Sequence, residues 1–337
     1  MFKYILLFSN IFLFFSVNSE EVNIYTSRHY ESDIQLYEKF TNLTGINVNI
    51  ISGNSKALEK RIEEEGKDCL ADVFIVADAG RLYSATSKKL FQRLDSEEII
   101  NIVPRNFRTS YWFGIAKRAR IIFIHKNNVN KNDIKKISYE DLANPEWNQN
   151  VLIRSSNNIY NQSLVAALIE NVGHKKTKEW ATNLVNNFAR SPKGNDRSQM
   201  LGVASGEAEI AVANTYYYAL MLSGKKGDEQ KEAAKNLVPV FPNQSNRGTH
   251  MNISGAGLLK YSKNKDNAIR FLEFLLSKEA QEHIVNNTFE YPMINNVQPH
   301  KLIANMGLTF KQDDTDVSSY GKWQSDALKI MIESGWR

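Results

Sequence analysis

Cysteine is almost missing from this chain: Cys69 is the one example in 337 residues. No intramolecular disulfide can form, and a Cys-x-x-Cys zinc or redox site is excluded. Histidine is scarce and scattered, six in all with no His-Glu-x-x-His, which removes the usual metalloprotease pattern. No Gly-x-Ser-x-Gly nucleophile elbow is present and no acidic run has calcium-loop spacing. Repeats of fixed period and low-complexity tracts are lacking too. Nor is there a strong excess of one charge: the formal +5 is spread among interspersed acidic and basic residues, so no nucleic-acid footprint is visible. Long hydrophobic runs are confined to the first nineteen residues. There Lys3 precedes an apolar run from Tyr4 to Val17, broken by Ser9, Asn10 and Ser16 and followed by small Ser19. That pattern predicts a signal peptide over 1–19, since the run is short for a membrane span. Export implies an oxidising compartment, where Cys69 is expected to be a buried, inert thiol.

What is present reads as an α/β protein. The composition, 42% hydrophobic and 23% charged, suits two lobes with separate cores. Val22–Thr26 alternates like a strand, and a helix opens at Glu31-Ser32-Asp33 with apolar residues at Ile34, Leu36, Tyr37 and Phe40 and stops at Gly45. Ile46–Ile50 is a second strand, Ala57–Glu65 a helix ended by Gly66, and Asp72–Ala77 a near-continuous apolar strand. Strand and helix in alternation predict a doubly wound lobe. Tyr111–Ala116 and Ile121–Ile124 are expected as two strands split by Lys117-Arg118-Ala119-Arg120, a hinge between lobes. A strand at Val151–Arg154 leads through Tyr160 into a helix expected over Ser163–Ile169. The lone Gly255-Ala256-Gly257 reads as tight backbone packing rather than a phosphate loop. The expected organisation is a signal at 1–19, a first lobe of 20–117 with 247–290, and a second lobe of 118–246 with 291–337.

Three segments share one grammar. Strand 22–26 runs into His29-Tyr30, strand 151–154 into Tyr160, and strand 210–213 into Tyr216-Tyr217. Each puts tyrosine between the carboxyl end of a strand and the start of a helix, the edge where open α/β sheets bind ligands. Asn214 or Thr215 is placed to cap the helix that follows the third strand. A free phenol has a pKa of about 10, so phenolates do not gather unaided. A hard trivalent cation such as ferric iron supplies the attraction, and helix N-termini add to it. Four phenolates outweigh that ion by one charge, which Arg118 or Arg120 could balance. His29 is placed to be a further ligand or to donate to one. Tyr218 is expected in the core or at the surface, and His250 in a structural role.

At these residues the sequence resembles the periplasmic ferric-iron-binding proteins of ABC importers, the FutA and FbpA type. The resemblance is carried by Tyr25-Thr26-Ser27-Arg28-His29-Tyr30, Trp112-Phe113-Gly114 with the basic stretch after it, and Ser155 to Ser163. Asn214-Thr215-Tyr216-Tyr217, Gly248 to Gly255 and Glu290-Tyr291-Pro292 complete it. It implies a two-lobed α/β periplasmic binding protein, not an enzyme, that carries Fe3+ as cargo to an inner-membrane ABC permease. It also implies a monomer with no nucleic-acid partner. Tyr30, Tyr160, Tyr216 and Tyr217 match the ligand positions, His29 lies beside them, and Arg120 matches a basic position near the metal. One departure stands out: some relatives carry an arginine just after the tyrosine pair, where this chain has Tyr218-Ala219-Leu220-Met221. The alternative is a receptor of the same architecture for a polyamine or an oxyanion, its ligand boxed by aromatic rings.

Overall fold

A computed structural model of the chain describes residues 20–28, 30–128, 136–307 and 309–337. The signal segment 1–19 and His29 lie outside the described residues. No described helix is long and apolar enough to cross a membrane.

Among the described residues nine strands follow in chain order: β1 Glu21–Thr26, β2 Asn47–Ser52, β3 Val73–Ala77, β4 Trp112–His125 and β5 Val151–Leu152, then β6 Ile210–Asn214, β7 Leu237–Val240, β8 Met251–Leu258 and β9 Tyr291–Pro292. The sheet runs β2-β1-β3-β8-β4-β6-β5, with β7 and β9 also on β4. β1 pairs parallel with β2 and β3, while β8 is antiparallel to both β3 and β4. Trp112–Ala119 of β4 pairs with β8, and Arg120–Ile124 of the same strand pairs with β6. Helices flank both halves, so two α/β lobes share β4.

Local signals explain most element ends. The helix Glu31–Thr44 closes on Gly45, whose φ of +76° is the left-handed turn that glycine adopts freely. Its Leu36, Tyr37 and Phe40 face inward while Ile34 is exposed, and the rings of Tyr37 and Phe40 meet Phe271 edge-on at 5.2 Å. Gly255 and Gly257 are packing glycines. A Cβ on Gly255 would lie 2.6 Å from the Phe113 carbonyl oxygen, and one on Gly257 would lie 2.6 Å from the Phe91 ring.

Two expectations are corrected. The stretch Lys117–Arg120 does not separate two strands, because β4 is continuous for 14 residues. The run lies inside the strand, where Arg118 and Arg120 are each only 2% exposed and meet buried carboxylates. Arg120 pairs with Asp196 at 2.8 Å, and Arg118 lies 3.6 Å from Glu290 and 3.9 Å from Asp78. The helix expected from Ser163 instead spans Ile159–Val172, because the Asn158 side chain accepts from the Asn161 amide and caps it earlier.

Candidate metal centre

Each tyrosine is delivered by a strand-to-helix junction. Tyr30 is the cap residue of the helix Glu31–Thr44, in extended backbone, and its side chain makes no capping bond. The phenol is therefore free to point elsewhere. Tyr160 lies in the first turn of the helix Ile159–Val172. Tyr216 and Tyr217 lie in the first turn of the helix Thr215–Leu222, which begins directly after β6. First-turn amides lack intrahelical partners, so these ends carry partial positive charge where phenolates would sit.

The three junctions meet at one cleft of about 720 Å³, lined by Tyr30, Tyr160, Tyr216 and Tyr217 among others. The phenol oxygens of Tyr216 and Tyr160 are 3.5 Å apart. The rings of Tyr216 and Tyr217 lie 4.1 Å apart between centroids, tilted by 35°. Tyr218 is not part of this group: its hydroxyl donates to the Leu237 carbonyl and its ring packs on Phe123. His250 is buried away from the cleft lining, against the Tyr320 ring, and burial pushes its pKa down to about 3. Cys69 is buried as well, and burial pushes its thiol up to about 11.

Buried charge surrounds the tyrosines. Arg28 lies over the Tyr30 ring at 4.8 Å, with Nε 2.8 Å from Asp33 and a terminal nitrogen 2.7 Å from Glu290. Arg118 lies over the Tyr160 ring at 4.9 Å. Its Nε and one terminal nitrogen are buried without hydrogen-bond partners. Glu290 stands between the two arginines and accepts from the Ser254 hydroxyl at 2.7 Å.

Arg120 has a different place. Its guanidinium donates to Asp196 at 2.8 Å, to the Asn161 side chain at 2.6 Å and to the Asn214 side chain at 3.1 Å. Asn161 follows Tyr160, and Asn214 precedes the Tyr216 helix, so Arg120 ties together the starts of both tyrosine-bearing helices. That use of Asn214 explains why its side chain makes no cap bond of its own.

Burial, and next the charge of Glu290, push the Tyr30 phenol well above its ordinary pKa, against the pull of Arg28 and Arg118. Burial, then Tyr160, Tyr217 and Tyr30, do the same to Tyr216. Burial and then Tyr160 raise Tyr217. Burial works against the charge of Arg118, but Tyr160, Tyr216, Asp78 and Glu290 outweigh it and hold that pKa above the ordinary value. Burial thus keeps the Tyr30, Tyr216 and Tyr217 phenols protonated. Among the described residues no three His, Cys, Asp or Glu side chains come together to hold a metal. Sequence reasoning did not assign roles to Arg28, Asp78 or Glu290. The Glu290-Tyr291-Pro292 and Ser27-Arg28 motifs pointed to two of them, but their partners are distant in sequence.

Comparison with known proteins places this geometry in context. The family described as bacterial extracellular solute-binding protein matches residues 68–314. Iron uptake protein A1 of Synechocystis is 44% identical over 320 residues, covering 94% of this chain and 88% of that one. The Trichodesmium FutA structure in complex with iron and citrate superimposes with a TM-score of 0.90 at 44% identity, covering 94% of this chain and all of that one. The ferric binding protein from Campylobacter jejuni gives a TM-score of 0.87 at 40% identity, covering 94% of this chain and 100% of that one. These relatives are named as uptake or binding proteins rather than enzymes.

Proposed function

Because this chain belongs to the bacterial extracellular solute-binding proteins, we propose that it captures ferric iron on Tyr30, Tyr160, Tyr216 and Tyr217 and delivers it to an inner-membrane ABC permease. The observation that carries the reading is the convergence of phenols from three separate junctions on one cleft, with two oxygens already 3.5 Å apart. Relatives named for iron uptake and ferric binding support the choice of cargo. His29 is carried as a fifth candidate donor on its sequence position alone.

In this reading the lobes are 20–117 with 247–290 and 118–246 with 291–337, and iron draws them together. Tyr30 comes from the first lobe and the other three phenols from the second. Ferric iron replaces the phenol protons and offsets the burial that keeps them on. Arg118, over Tyr160 and only partly hydrogen-bonded, is the cation that faces the phenolates, while Arg120 positions their helices. The signal-peptide pattern read in residues 1–19 and the periplasmic naming of a relative from Serratia marcescens support action in the periplasm. The polyamine alternative is disfavoured because Arg28, Arg197, Lys225 and Lys226 all line the cleft.

The test is a ferric titration of the chelator-stripped protein. A visible phenolate-to-iron charge-transfer band should grow with iron and be lost or strongly weakened in Tyr216→Phe and Tyr217→Phe. A colourless protein indifferent to iron ends the proposal.

A further inference from the structure

A second cleft, of about 540 Å³, shares no residue with the tyrosine cleft. Lys117 of β4 stands directly opposite Tyr291 of β9 in the antiparallel pairing, so their side chains share a face. Both line this cleft, and Lys311 adds a second cation to its wall. No carboxylate is among the lining residues. Lys117 is half-buried, its ammonium lies 5.5 Å from the Phe107 ring centroid, and desolvation pulls its pKa down. The Tyr291 hydroxyl is buried and finds no hydrogen-bond partner. A half-buried cation with no ion-pair partner among the described residues, beside a buried and unsatisfied hydroxyl donor, is a pair of groups that an anion would satisfy. The rest of the lining is mixed: Pro292, Ile294 and Phe310 are apolar, Gln298 offers an amide donor, and the Gln244 amide is spent on Pro242, Thr249 and Lys311. The volume suits a small organic molecule rather than a bare inorganic ion.

We propose that this cleft is a second binding site, for a small organic carboxylate held by Lys117 and Tyr291 with its hydrocarbon against Pro292, Ile294 and Phe310. The site does not depend on the ferric reading. Its walls include β4 and Gln244, which lies on the return from β7 to β8, so an occupant sits on the segments that connect the two sheet halves.

The experiment is calorimetry on the mature chain without iron, using benzoate and hexanoate, their neutral amides, and inorganic phosphate. Both carboxylates should bind, with the amides about tenfold weaker or worse, because the charge-assisted bond is lost. Lys117→Met should weaken the carboxylates by about tenfold or more, Lys117→Arg should keep most of the affinity, and Tyr291→Phe should weaken it several-fold. Circular dichroism must show native variants, and Lys117→Gln replaces Lys117→Met if the latter does not fold. No heat with either carboxylate at millimolar concentration overturns the proposal, as does equal binding of the amides or undiminished binding by a folded Lys117→Met. Phosphate binding as tightly as the carboxylates overturns the organic assignment. Because no iron is present, none of these outcomes bears on the tyrosine cleft.

Discussion

Replacing Ser163 by alanine tests whether the two halves are held together by a bond that the metal does not make. Ser163 lies on the Tyr160 helix, and its hydroxyl faces both carboxylate oxygens of Asp78, at 2.8 and 3.0 Å. Asp78 follows β3 on the other side of the molecule, fully buried, with a φ of +101° that few side-chain-bearing residues tolerate. A hydrogen bond to a charged group contributes about 1.5–3 kcal/mol. If opening the lobes breaks this bond, its loss should shift the closed-to-open ratio by about ten- to a hundredfold, since each 1.4 kcal/mol is tenfold. Ferric affinity should fall by a similar factor. Asp78 keeps its bonds from the Gly80 amide and the Asn252 side chain, so the local structure survives the change. Competition against a chelator of known strength gives the affinity, and small-angle scattering of the iron-free protein gives the lobe separation. The charge-transfer band of the loaded variant should keep its energy, because no phenol has been touched. Wild-type affinity together with unchanged scattering would refute the argument.

Other perturbations act on different terms. Arg118→Met leaves Asp78 and Glu290 short of a buried cation and should cost about 3–5 kcal/mol in urea unfolding. Loading with Fe3+ in weakly buffered solution should release about one proton per coordinating tyrosine. Since Tyr30, Tyr216 and Tyr217 have raised pKa values, apparent affinity should climb with pH and fall on acidification, which parallel titrations at several pH values would show. Gly255→Ala drives a methyl to within 2.6 Å of a backbone oxygen and of Leu82, and should destabilise by about 1–3 kcal/mol in the same urea assay.

The sequence made the tyrosine junctions legible because each obeys a local rule: an apolar strand, a short polar turn, then a helix start. The first lobe's alternating elements were legible for the same reason, and Gly45 and Gly66 marked where two helices end. The buried carboxylates around the site were not legible, nor was which arginine faces the phenols. Lys117-Arg118-Ala119-Arg120 looks like a hinge between two strands until Asp78, Asp196 and Glu290, supplied from three distant segments, are found beside its two arginines. The two arginines are also only two positions apart on one strand, yet one stands over Tyr160 and the other braces Asn161 and Asn214. No local pattern separates those roles, because both depend on which elements pack against β4.

The unbroken course of Trp112–His125 has a consequence for thermal denaturation. Its hydrogen bonds belong to β8 and β9 at one end and to β6 and β7 at the other. Neither half can melt without fraying a strand the other half needs. Calorimetric heating of the unloaded chain should therefore trace a single endotherm, and two resolved peaks would mean that the shared strand does not couple them.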